Sequence, residues 1–89
     1  MYYTYILQSE VNKRYYVGYT ADIEDRLRHH NSGANSSTKP YRPWRLIFKE
    51  SFSNKKDAWL REKQIKSYKG GEAFKKLVHN TDKQSGDVA

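Results

Sequence analysis

Two short runs near the start of the chain, TYIL at 4–7 and RYYVGYT at 14–20, lie among six of its eight tyrosines. Tyr, Val, Ile and Thr fit a pleated, half-buried surface, so both runs read as β-strands. The polar QSEVNK between them is a hairpin loop. An even-length loop, such as the four residues 9–12, would pair Tyr5 with Tyr16 and put both rings on one sheet face. Tyr15 and Tyr19 then alternate to the other face, where core packing is expected; Tyr2 and Tyr3 are left open. A hairpin at this place constrains everything downstream, because it cannot form half of a right-handed βαβ crossover.

Beyond the hairpin, ADIEDRLRHHNSG carries Ile23 and Leu27 at helical spacing, acids at its start and Gly33 just past its end, which predicts a helix. SGANSSTKPYRP is a loop by its Ser, Asn, Gly and Pro content. WRLIFKESF predicts a third strand. Ser53 or Asn54 caps a second helix, KKDAWLREKQIKSY, which Gly70 and Gly71 stop. EAFKKLVHN predicts a short third helix. The order β-β-α-β-α-α implies an α+β fold, a small, mostly antiparallel three-stranded sheet flanked by helices. One domain over 1–80 is expected, followed by a polar tail over 81–89 that frays.

Composition narrows the function. The chain has no cysteine, which excludes disulfides and thiolate metal sites and fits a reducing cytoplasm. No apolar run approaches the roughly 20 residues of a membrane span, and MYYTYIL lacks the basic lead of a signal peptide. Between Lys39 and Lys76, twelve Lys and Arg stand against four Asp and Glu, within a net charge of +7. This excess points to a polyanion, and nucleic acid is favoured over an anionic membrane because no large apolar stripe opposes the charge.

Side chains suited to chemistry are few. The chain has no Walker loop and no GxGxxG, and His29-His30 has no companion ligand pair for zinc. Arg26 and His30 are four apart and share a helix face; taken alone, each reads as a surface side chain. Glu62 falls in a weak apolar stripe with Ala58 and Ile65. Carboxylates enter such stripes when paired or when holding a cation, and many lysines are near.

Together these residues resemble a known set. YTY at 3–5 and YVG at 16–18 look like the two halves of the GIY-YIG nuclease signature. Tyr3 and Thr4 replace the first glycine and isoleucine, Tyr5 is kept, and Val17 stands for the second isoleucine. Arg26 follows, then HN at 30–31, then REKQIK around Glu62. The chain resembles the small stand-alone, UPF0213-type members of the GIY-YIG superfamily, related to the nuclease domain of the excision-repair protein UvrC.

The resemblance implies a metal-dependent endonuclease that hydrolyses DNA, or RNA, with little sequence preference. Glu62 would hold one divalent cation, Mg²⁺ or Mn²⁺. Arg26 would hold the scissile phosphate. Tyr5 and Tyr16 would position the attacking water, with Tyr5 preferred as base and His30 assisting. Gly18 would let the backbone or the substrate approach closely, and Asn80 resembles the family's asparagine after the last helix. Lys39, Arg42 and Arg45, in or beside the flexible loop, would track a phosphate backbone. So small a domain would draw specificity from an unidentified protein partner or from unusual nucleic-acid structures. The competing expectations are a nucleic-acid-binding module of the same fold that has lost turnover, and a non-enzymatic interaction protein whose basic face docks on an acidic partner.

Overall fold

The computed structural model describes residues 1–79. Asn80 and the 81–89 tail lie outside the described residues. Strands β1 (Tyr2–Ser9), β2 (Tyr15–Thr20) and β3 (Trp44–Phe52) form one antiparallel sheet in the order β2-β1-β3. Helix α1 (Ile23–Ser32) links β2 to β3 through a loop containing a 3₁₀ turn at Lys39–Tyr41. Helix α2 (Lys55–Ser67) follows β3, and α3 covers 72–79. This is the β-β-α-β-α-α α+β fold that the sequence implied.

The hairpin loop has four residues but starts one position later than expected. Ser9 N–H donates to the Arg14 carbonyl at 2.8 Å, so the loop is residues 10–13. Tyr5 therefore faces Gly18, and Tyr16 faces Leu7. The cause is local. Ser9 Oγ accepts from the N–H groups of Val11 and Asn12 and donates to the Tyr41 carbonyl, which ties Ser9 into the strand. The shift moves each partner by two positions, so Tyr5 and Tyr16 still share a face.

That alternation divides the core. Tyr5, Leu7 and Trp44 pack with Tyr16, Ile23 and Leu27 under α1. On the other face Ile6 and Ile47 pack with Ile65 of α2 and with Phe74 and Val78 of α3. Register shifts between Ile6 and Leu7 on the β3 side, where Phe48 and Leu46 are their partners. Thr4 is fully buried and donates to the Ala58 carbonyl at 2.7 Å, which pins α2 to the central strand. Tyr15 departs from expectation: it is 45% exposed because β2 is an edge strand, and it touches Phe74 only edge-on.

Local signals set the helix ends. Asp22 caps α1 through the Asp25 N–H, and Gly33 ends it at φ 84°, a conformation that glycine adopts without a Cβ penalty. Asn54, of the two candidates, caps α2 through the Asp57 N–H. After Tyr68 the chain turns through Lys69 and Gly70, both at positive φ.

Asn31 holds α1 to β3. Its amide donates to the Trp44 carbonyl at 3.2 Å, and its carbonyl accepts the Trp44 N–H at 2.6 Å. Removing both bonds in Asn31→Ala leaves two partly buried backbone groups short of a partner. It should lower unfolding free energy by ~2 kcal/mol, read from the urea midpoint at unchanged slope.

Candidate active site

Tyr5 lies on the central strand and is 3% exposed. Its ring crosses the neighbouring strand at Gly18. A Cβ built on Gly18 would sit 2.6 Å from the Tyr5 hydroxyl and 2.8 Å from Cζ. The glycine is therefore required by the tyrosine: what comes close at this position is the Tyr5 side chain, not the backbone or the substrate. Tyr16 lies diagonally across the same face, with ring centroids 6.4 Å apart.

His30 corrects the picture of a surface side chain. It is wholly buried at the foot of α1, while Arg26, one turn earlier, is exposed. Its Nε2 is 3.5 Å from the Tyr5 hydroxyl, and its Nδ1 is 3.1 Å from Thr38 Oγ1. The Thr38 hydroxyl donates to the Asn35 carbonyl, so it accepts from Nδ1–H. That assigns the proton to Nδ1 and leaves Nε2 as an acceptor facing the Tyr5 hydroxyl. Trp44 steadies the same loop by donating its indole N–H to the Thr38 carbonyl at 2.9 Å.

Electrostatics agree with this network. Burial, then the charges of Arg26 and His29, lowers the His30 pKa below the ordinary 6.5. Burial, then Tyr16, raises the Tyr5 phenol above its ordinary value; Arg26 opposes this and Glu62 adds to it. A free Tyr5 phenolate is thus disfavoured, and a Tyr5 hydroxyl donating to neutral His30 is favoured.

Tyr5, Tyr16, Gly18, Arg26 and Glu62 line one open cleft of about 510 Å³ along the free edge of β2. Glu62 enters from α2, its side chain only 13% exposed and paired with Lys66 Nζ at 2.7 Å. The lysine pairing weighed for Glu62 is thus present, at a carboxylate that also lines the cleft. The Arg26 guanidinium forms no ion pair among the described residues, which leaves it available to an anion. No cluster of three or more His, Asp or Glu able to enclose a metal occurs among the described residues. One carboxylate beside an open cleft suits a magnesium-type ion, which keeps waters and takes substrate phosphate oxygens. It does not suit zinc, which needs three or four protein ligands.

Other residues fall elsewhere or were missed. Lys39 and Arg42 lie on the exposed loop, and Arg45 lies on β3, where it donates to Gln8 Oε1 at 3.3 Å. None of the three lines the cleft. Lys55, Tyr2 and Tyr19 do. Lys55 carried a weak signal as the first residue after the Asn54 cap. Thr38 carried none, being one hydroxyl in a serine- and threonine-rich loop.

The family model described as the GIY-YIG catalytic domain matches residues 1–75. UPF0213 protein SH2523 of Staphylococcus haemolyticus is 37% identical over 76 residues, 84% of this chain and 92% of that protein. UPF0213 protein YsiG of Lactococcus lactis is 42% identical over 74 residues, 76% of this chain and 70% of that protein. The solution NMR structure of UPF0213 protein BH0048 from Bacillus halodurans superposes with a TM-score of 0.56 at 31% identity, covering 89% of this chain and 84% of that one.

Two outcomes follow from the geometry. Gly18→Ala should push the Tyr5 hydroxyl aside and cost about 1–3 kcal/mol, measured by urea unfolding. His30 makes stability depend on pH. Above 6.5 both folded and unfolded states hold it neutral; as pH falls, the unfolded state takes a proton that the folded state resists. Melting temperature should therefore fall between pH 7.5 and 5.5, above the carboxylate range, and His30→Gln should flatten that slope.

Proposed function

The chain belongs to the GIY-YIG catalytic domain family, among the UPF0213 proteins, and on that ground we propose that it is a metal-dependent endonuclease acting on nucleic acid, DNA first, with little sequence preference. One observation carries the reading: two tyrosines, an arginine and a carboxylate from four separate elements meet in a single cleft.

Arg26, exposed and in no ion pair among the described residues, binds the scissile phosphate and offsets the charge that grows on it. Glu62 would hold the divalent cation, and magnesium or manganese bound there would supply Lewis-acid stabilisation of the phosphate and leaving oxygen. Tyr16, half-buried at the cleft wall, orients the attacking water. The Tyr5 hydroxyl takes the water's proton as it passes its own to His30 Nε2, so no free phenolate accumulates. Arg26 also helps keep His30 neutral, which preserves its acceptor role near neutral pH. Lys39, Arg42 and Arg45 add salt-sensitive backbone contacts beyond the cleft.

No helix of the described residues is long and apolar enough to cross a membrane. We place the protein in the cytoplasm, with nucleic acid as its partner and a further protein supplying selectivity.

Incubation with supercoiled plasmid at low salt tests the reading. Nicking should need Mg²⁺ or Mn²⁺, stop in EDTA, and fall at least about 100-fold in Glu62→Ala and Tyr5→Phe. Cleavage that survives both substitutions would overturn the assignment of the site. Salt-sensitive binding with no cleavage in any metal would make the protein a binding module.

A further inference from the structure

A second groove begins where the cleft ends. Tyr16 lines both. β2 and α2 run in opposite senses along the shared edge. The cleft uses the end of β2 and the start of α2, from Tyr16 to Asp22 and from Lys55 to Glu62. The second groove uses the start of β2 and the end of α2. Arg14, Tyr15, Lys66, Lys69 and Phe74 are among its walls, and its volume is about 550 Å³, within the range of ligand clefts.

Its chemistry is specific. Neither Asp nor Glu lines it, whereas Arg14, Lys66 and Lys69 do. A further hollow of about 360 Å³ on the other side of Tyr15 and Phe74 adds Lys75 and His79, again with no acid. Between these basic side chains stands the 45% exposed Tyr15 ring, held edge-on by Phe74 at 4.9 Å. Lys66 is paired with Glu62 and the Arg14 guanidinium rests on the Tyr41 ring at 4.9 Å, while no ion pair engages Lys69 among the described residues. An aromatic ring held in place among such basic side chains matches a nucleotide: the ring takes the base and the basic groups take the phosphates. A duplex keeps its bases stacked on one another, so this platform serves only an unpaired base.

We propose that this groove is a subsite for an unpaired nucleotide flanking the scissile phosphate, its base stacked on Tyr15 and its phosphates held by Arg14 and Lys69. The proposal rests on the nuclease reading and deepens it, since the strand that crosses the catalytic cleft continues along the β2 edge into this groove. It makes the enzyme favour single-stranded or frayed substrate over closed duplex.

Fluorescence anisotropy in EDTA, at low salt, separates binding from turnover. The probes are a labelled single-stranded oligonucleotide and a blunt duplex of the same sequence. Tyr15→Leu keeps an apolar contact with Phe74 but cannot stack; Tyr15→Phe keeps stacking. Tyr15→Leu should weaken single-strand binding about 5- to 100-fold and change duplex binding less than about twofold. Tyr15→Phe should match wild type, and Lys69→Ala should lower the salt slope by about one. If wild type binds single strand and Tyr15→Leu binds it equally well, the subsite is overturned and the nuclease reading stands. Equal losses on single strand and duplex would also overturn it. Wild-type protein that binds neither probe would overturn both readings.

Discussion

The Tyr5 ring lying across Gly18 is the contact on which the rest of the site depends. It needs a hairpin to bring the two strands together and a glycine opposite to make room. It also needs a helix that delivers a histidine to the hydroxyl. Burial then does the electrostatic work: the phenol holds its proton, the imidazole stays neutral, and their hydrogen bond acquires a direction. Arg26 sits one helical turn from His30, so a single short helix sets both the charge lining the cleft and the acceptor buried behind Tyr5.

Much of the remaining structure serves to hold that helix and its loop still. Asn31 fastens α1 to the start of β3, Trp44 fastens the loop through Thr38, and Ser9 fastens the hairpin to Tyr41. Every buried side-chain nitrogen and oxygen among the described residues has a partner. In a domain with so small a core, polar ties of this kind do much to select one arrangement. The free edge of β2 is the exception. Among the described residues no strand pairs with it, and both grooves open along it. An exposed edge would invite strand pairing with another chain. Here lysines and arginine surround it, which suits an extended polyanion better than a second β-strand.

The sequence announced its elements because each carries local instructions. The acids and Gly33 bound α1, an Asn54 cap starts α2, and WRLIFKESF is β3 from end to end. Glu62 was legible as a carboxylate in an apolar stripe, and the two-residue alternation put Tyr5 and Tyr16 on one face. Spacing alone puts His30 between the face of Ile23 and Leu27 and that of Arg26, so it does not show burial; the loop that brings Thr38 to the imidazole closes over the helix end and buries it. Tyr15 was assigned to the core because alternation says which face a side chain takes, not whether a strand lies at the edge.

Periodicity, caps and turns act over a few residues, so the chain alone determined the elements, their order, the common face of the two tyrosines and the basic charge that favours a polyanion. Only the tertiary structure decided the hairpin register, the burial and tautomer of His30, and the pairing of Glu62 with the cleft on one side and Lys66 on the other. Each of these depends on groups far apart in sequence, and on how much water the packed chain leaves around them.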